Sequence, residues 1–413
     1  MKMKIRCIII LIIQILFSSA QLLASGRSVG MAGAYTAVSK GAESVFWNPA
    51  NLGFSTRSEK TLNLFSFRVN VDNNSFNWGH YTKYNGKFLT AEDKQNILDL
   101  IPAQGFNLKL DADISALSFA WWNFAFTFSC EGSSDLLLPK DPIQLLFFGN
   151  ELNDTILIEN SDGEAYASWD LGFSYGRSIL KRAEKELFCG GNLRYQRGLI
   201  YQKVQKMEGE LFTLETGING DGDFAVRSAK GGRGYALDLG LAIKYKNSWT
   251  FGISFFNLLN QIKWAQKTEV RGYQVRIDSL LAENFDVDSL VTELSYTQKI
   301  DPFVTRMPTV MRLGAAHQGK RFLWALDLEQ GFKEDLGVSK KIKASLGTEY
   351  RILSWLDILG GISVGGREGT TLANGVRLNA ENSYLDIGMA NHKGLWPTKS
   401  KGVCLAISSG FSW

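Results

Sequence analysis

"YALDLGLAIKYKNSWTFGISFF", residues 235–256, decides the fold class. Tyr235, Leu237, Leu239, Leu241, Ile243 and Tyr245 fall on one side of an extended chain. Ala236, Asp238, Gly240, Ala242 and Lys244 fall on the other. A period of two is the repeat of a strand. After "NS" the pattern resumes, with Trp249, Phe251, Ile253 and Phe255 alternating against Thr250, Gly252 and Ser254. The two runs read as a β-hairpin.

The same grammar spreads outward along the chain. It recurs in "SFAWWNFAFTFSC" (118–130), "ASWDLGFSYG" (167–176), "FLWALDLE" (322–329) and "VCLAISSGFSW" (403–413). One face is large and apolar; the other is small, polar or charged. A soluble sandwich alternates too, but here big aromatic residues fill the apolar face in strand after strand. Aromatic residues also gather at strand ends (Tyr235, Tyr245, Trp249, Tyr350 and Trp355), as in the girdles at a lipid–water interface. A sheet in lipid must close, because an open edge leaves backbone groups unpaired. The expected fold is therefore an all-β transmembrane antiparallel β-barrel with a few short loop helices. About fifteen strand-like segments follow residue 60, and bacterial barrels favour even counts, so about fourteen strands are expected. Val403, Leu405, Ile407, Phe411 and Trp413 share one face of the last strand, an ending that resembles the signal read by barrel-assembly machinery.

Composition agrees. The 413 residues include 41 Gly and only 7 Pro, which suits strands joined by tight turns. Lys2, Lys4 and Arg6 supply three of the formal charges in a net +4, so the remainder is close to neutral. No basic field for nucleic acid exists. A basic start, the apolar run "CIIILIIQILF" and the small residues ending at Ala20 form the three parts of a signal peptide. Cleavage is expected after residue 20 and no later than residue 25. The apolar run is shorter than the ~20 residues that span hydrocarbon as a helix. The chain is thus expected to be exported to the outer membrane of a Gram-negative-type bacterium, with that lipid bilayer as its first partner. Cys130, Cys189 and Cys404 then remain, and an odd, scattered set reads as small buried or lipid-facing residues.

Three long connections interrupt the strands. Residues 89–105 read as a short helix, with Thr90 as cap, Asp93 at the capping-box position and Ile97, Leu98 and Ile101 as an apolar stripe. Residues 131–164 mix apolar runs with turns, and residues 260–308 are expected to be helical in part, around 275–294. The runs "DLLLPKDPIQLLFF" (135–148) and "LLAENF" (280–285) are candidates for an apolar pocket beneath the loops.

Signals for chemistry are sparse. His80, His317 and His392 sit in no recognisable catalytic spacing, and no nucleophile elbow, zinc motif or phosphate loop occurs. A Ser–His pair assembled across strands is the enzymatic alternative; a non-enzyme without cofactor or metal is the expectation. "NGDGDF" (219–224) resembles the start of a calcium loop but has Phe224 where Gly is needed and Lys230 where an acid is needed. It reads as a solvated turn. Asp170, Arg194, Asp238, Lys244, Arg312 and Asp327 lie on small-residue faces and are candidates to line the lumen. They either pair across it or line a constricted polar path.

"GRSVGMAGAYTAVSKGAESVFWNPANLGF" (26–54) resembles the N-terminal signature of the long-chain fatty-acid transporter (FadL-like) superfamily, and within it the PorV/PorQ-type branch linked to type IX secretion. Met31, Gly33, Ala34, Tyr35, Thr36, Ala37, Trp47, Asn48, Pro49, Ala50 and Leu52 fit that signature, while Asn51 stands where Gly is usual. The segments 89–102, 235–262, 306–317 and 346–352 resemble the branch in order and spacing. The resemblance implies a barrel from residue 59 to 413 whose residues 21–58 fold inside the lumen as a hatch. Phe46, Trp47, Asn48, Pro49, Ala50 and Leu52 would be its gating residues, Asn48-Pro49 setting a turn. It implies passage of a hydrophobic small molecule (a detergent would occupy the same place). The alternative is a PorV-like barrel that binds an exported protein through its extracellular loops.

Overall fold

The computed structural model describes residues 24–413 apart from 160, 247, 281–290 and 336. The expected signal peptide lies outside the described residues. Fourteen antiparallel strands close into a barrel. The first seven are β1 (Lys60–Asn73), β2 (Phe106–Trp121), β3 (Phe124–Leu138), β4 (Asp162–Arg182), β5 (Lys185–Leu214), β6 (Arg233–Tyr245) and β7 (Trp249–Trp264). The rest are β8 (Val310–Gln318), β9 (Phe322–Gly331), β10 (Lys343–Leu353), β11 (Leu356–Gly365), β12 (Thr371–Asn379), β13 (Ser383–His392) and β14 (Gly402–Ser412). Closure comes from β1 on β14, in register from Thr61–Ser412 to Asp72–Gly402.

The period of two puts apolar side chains outside and small or polar ones inside. Along β6, Tyr235, Leu239, Leu241 and Ile243 are exposed, while Ala236, Asp238 and Ala242 are buried. Exposed rows of Leu, Ile and Phe on every side would be costly in water and are stable in hydrocarbon. No helix among the described residues is long and apolar enough to cross a membrane. This chain crosses with strands.

One end of the barrel carries only tight turns, such as 122–123, 183–184 and 354–355; the other carries the long loops. On the long-loop side β5 runs on past the barrel. Its residues Ile200–Leu214 pair with a strand at Gly217–Lys230, which pairs with Gln266–Leu280, which pairs with Val291–Lys299. A projecting sheet therefore replaces two expected features. The solvated turn at 219–224 is strand, and Asp223 pairs with Lys206 at 2.8 Å. The helix expected around 275–294 is strand up to Leu280 and from Val291; residues 281–290, and with them most of "LLAENF", lie outside the described residues. Cross-strand pairing wins here because β5 offers a long free edge.

In the other loops, β3 continues to Leu138 before a helix at Lys140–Phe148. The helix at Ala91–Asp99 carries the Thr90/Asp93 capping box. A helix at Trp78–Tyr84, capped by Asn77, gave no apolar period in the sequence because it buries nothing.

Candidate functional site

Residues 24–55 run along the inside of the wall. Short helical pieces at Gly26–Gly30, Gly41–Phe46 and Pro49–Phe54 alternate with turns, and nearly every side chain is buried. Asn48 caps the last piece, its Oδ1 accepting from the Ala50 amide at 3.1 Å, with Pro49 in the first turn. Phe46 and Trp47 join Met31, Tyr35, Ala325 and Leu359 in one apolar cluster. Leu52 packs on Ala120 and Ala125, and Ala50 on Phe188 and Ala242.

Inward-facing glycines seat this segment. They face one another across the ladder as Gly176–Gly190–Gly240, Gly252–Gly314, Gly347–Gly361 and Gly375–Gly388. A Cβ on Gly190 would lie 2.4 Å from the Pro49 carbonyl, one on Gly361 2.5 Å from the Met31 carbonyl carbon, and one on Gly388 2.1 Å from the Gly26 oxygen. Such separations are far inside van der Waals contact. Only a hydrogen at these positions lets the backbone lie against the wall.

Polar side chains of the wall then satisfy backbone groups of the segment. The Tyr35 and Thr36 amides donate to Asp327 Oδ2 at 3.2 and 2.8 Å. Arg312 donates to the Phe46 carbonyl at 3.1 Å, pairs with Glu329 at 2.6 Å and lies 4.4 Å over the Trp47 ring. Ser254 donates to the Trp47 carbonyl at 2.8 Å, and the Asn48 side-chain amide donates to Leu241 at 3.0 Å. Asn51 ties the segment to itself, donating to the carbonyls of Thr36 and Ser39 at 3.0 and 3.1 Å. A glycine there, the usual residue of the resembled signature, has no side chain for those bonds.

The other charges singled out in the sequence separate into two groups. Arg194 bridges Asp170 at 2.8 Å and Asp238 at 3.0 Å, and it also donates to Asn257 at 2.6 Å. Gln196 and Asn192 complete the shells of the two carboxylates. Lys244 stands apart near the tight-turn end, 3.9 Å over the Phe54 ring. A second network was missed in the sequence: Arg68 pairs with Asp113, Arg367 with Asp111, and His392 bridges Thr371 and Asn70 at 2.9 and 3.0 Å. Its signal was present, since Arg68, Asn70 and Asp72 recur at every second residue of β1 and Asp111 and Asp113 do so on β2. Of the other histidines, His80 belongs to a helix cap and His317 stacks between Trp249 and Trp324.

Above the segment lies a cavity of about 140 Å³, lined by Trp47, Arg68, Arg194, Arg312, Met307 and His392 among others. That is close to the ~150 Å³ that holds one benzene-sized molecule, although polar walls favour water. The cavity reaches the wall at Asn257, Met307 and Pro308. There the ladder between β7 and β8 stops: it runs from Trp249–His317 to Phe256–Val310, and β7 finds a partner again only at Ile262–Trp264, against Phe303–Thr305. On the β6 side, Leu237 faces Leu259 while Leu239 faces Phe255, so β7 bulges by two residues, with Asn257 at φ 53°. Side-chain amides close the seam. Asn260 exchanges two hydrogen bonds with Met307, at 2.6 and 2.9 Å, and Thr309 donates to the Asn257 carbonyl at 3.0 Å. Leu258 and Leu259, on the same bulge, are exposed on the outer surface.

A solved mutant of the monoaromatic hydrocarbon channel TodX superposes over 94% of this chain and 98% of its own length, with a TM-score of 0.52 at 13% identity. The chain shares the TodX fold. Also similar are the toluene transporter TbuX of Ralstonia pickettii (12% identity, 95% and 97% coverage, TM-score 0.47) and a FadL homologue of Pseudomonas aeruginosa (10%, 96% and 98%, 0.48). A model described as a family of unknown function (DUF5723) matches residues 49–229, beginning within the luminal segment. No curated protein matches the sequence.

Proposed function

We propose that this chain is an outer-membrane barrel that passes small hydrophobic molecules, with residues 24–55 acting as a hatch that closes the straight route to the tight-turn end. The β7–β8 seam carries this reading. It is a break in the ladder at the level of the inner cavity, held by side-chain amides instead of backbone bonds, with exposed leucines on its outer face. An apolar molecule arriving from the loop side then has a sideways way out into hydrocarbon. The role of TodX as a monoaromatic hydrocarbon channel agrees with that cargo class.

A disulfide across the seam tests it. With Asn260→Cys and Met307→Cys joined, uptake of N-phenylnaphthylamine into liposomes falls on the order of tenfold, equivalent to ~1.4 kcal/mol of added barrier, and dithiothreitol restores it. Uptake unchanged by oxidation would sink the sideways route.

The projecting sheet favours a second reading, the PorV-like one, in which an exported protein is gripped outside the barrel. The strand at Val291–Lys299 is exposed along nearly its whole length. Deleting residues 266–299 then removes a co-purified exported protein while leaving liposome uptake intact. If no exported protein is recovered with the full chain, this second reading fails and the first is unaffected.

A further inference from the structure

The buried ionic group and the β7–β8 seam share one residue, Asn257. Asp170, Arg194 and Asp238 project inward from the neighbouring strands β4, β5 and β6, and Asn257 continues the row on β7. The Asn257 amide donates to Asp238 Oδ1 at 2.8 Å, and Arg194 donates to the Asn257 side-chain oxygen at 2.6 Å. Arg194 is itself held by both oxygens of Asp238, at 3.0 Å each, and by Asp170 at 2.8 Å. On the seam side, the Asn257 carbonyl accepts from Asn260 at 2.9 Å and from Thr309 at 3.0 Å. The same Asn260 side chain holds Met307. A chain of hydrogen bonds thus runs from the charges to the seam.

The backbone shows what that chain controls. Asn257 has a φ of 53°, where a residue other than glycine persists only if its surroundings fix it. Between the ladder pairs Leu239–Phe255 and Leu237–Leu259, residues 256–258 stand opposite Asp238 alone. The Asp238 carboxylate takes the Asn257 amide at that point.

The side chains of Asp238 and Arg194 are 0% and 7% exposed, so these bonds form away from bulk water, where hydrogen bonds to charged groups are strong. Buried ions seldom add net stability over well-packed apolar residues. Their best-attested use is to fix one arrangement of the chain among several. Here the arrangement they touch is the bulge, and the bulge sets the seam.

We propose that Asp170, Arg194 and Asp238 are the latch of the seam: they hold Asn257, and through it Asn260 and Thr309, in the closed arrangement. Arg194 and Asp238 are then positioning residues for the way out. Arg194 and Asn257 also line the inner cavity, so the latch lies on the wall that a molecule inside would meet. Its consequence for passage rests on the sideways route proposed above; its geometry does not.

Hydrogen exchange of the full barrel in detergent, read by mass spectrometry over residues 257–262 and 305–309, tests it. Asn257→Gly tolerates the same φ and keeps the amide for Asp238, but it removes the oxygen that Arg194 holds. Exchange at both seam segments rises about tenfold or more, the factor for one lost hydrogen bond to a charged group. Exchange in β13 and β14, on the opposite wall, does not change. The variant Arg194→Met/Asp170→Asn/Asp238→Asn leaves no charge stranded, a heat-modifiability gel confirms that it is folded, and it gives the same local rise. Wild-type exchange at the seam in either variant overturns the latch. So does an equal rise in β13 and β14, which marks general loosening. Uptake of N-phenylnaphthylamine by the same variants separates the two readings. Where the sideways route holds, uptake rises with exchange; a seam that exchanges faster without faster uptake supports the latch and removes the route.

Discussion

Replacing Gly190 by Val pushes residues 49–50 off the wall and makes the barrel leak small hydrophilic dyes. Gly190 has ordinary strand geometry, and Val is a good strand former, so the wall itself loses nothing. The damage comes from the new Cβ, which would sit 2.4 Å from the Pro49 carbonyl. Backbone cannot rotate away as a side-chain tip can, so the segment must shift, at a cost of about 1–3 kcal/mol or more. Trp47→Ala attacks the same seat from the other side. It empties a buried ring from the Tyr35–Arg312 sandwich and costs about 3–5 kcal/mol. Both variants speed hydrogen exchange at residues 26–54 and raise dye leakage. Gly191→Ala, next door but with its nearest neighbour 3.4 Å from the new Cβ, changes neither. If Gly190→Val and Trp47→Ala keep wild-type leakage with the barrel folded, residues 24–55 are not a hatch.

Arg194→Ala destabilises the barrel as strongly as Trp47→Ala. It strands two buried carboxylates, Asp170 and Asp238, that both depend on the one guanidinium. Removing one member of a buried ionic group typically costs about 3–5 kcal/mol, because the remaining charges lose their partner and stay out of water. The urea midpoint for unfolding from vesicles falls accordingly. The triple change Arg194→Met/Asp170→Asn/Asp238→Asn removes charge of both signs and recovers much of the loss. A single Arg194→Ala variant as stable as wild type would show that water reaches these carboxylates freely.

Much of the wall was legible because a membrane barrel repeats one local rule. The alternation in 235–256 sets which residues of β6 and β7 face lipid, and the register with their neighbours keeps that assignment. The Thr90–Asp93 capping box is equally local, and it caps the helix that the sequence places there. Reading failed where a partner far along the chain decided the outcome. Residues 266–280 became strand through pairing with 217–230, and Trp78–Tyr84 became helix with no buried stripe to announce it.

The charges divide in the same way. Asp327 and Arg312 were recognisable as inward-facing from the period of two. Asp327 lies 291 residues from the Thr36 amide it accepts, and Arg312 lies 266 from the carbonyl it donates to. The sequence by itself determined the crossing strands, the lipid face and the small-residue interior, because side-chain alternation on a strand is a local property. Only the tertiary structure decided that paired glycines form a seat and that the ladder breaks between β7 and β8. Each of those depends on closure of the barrel, which brings together residues that no sequence period relates.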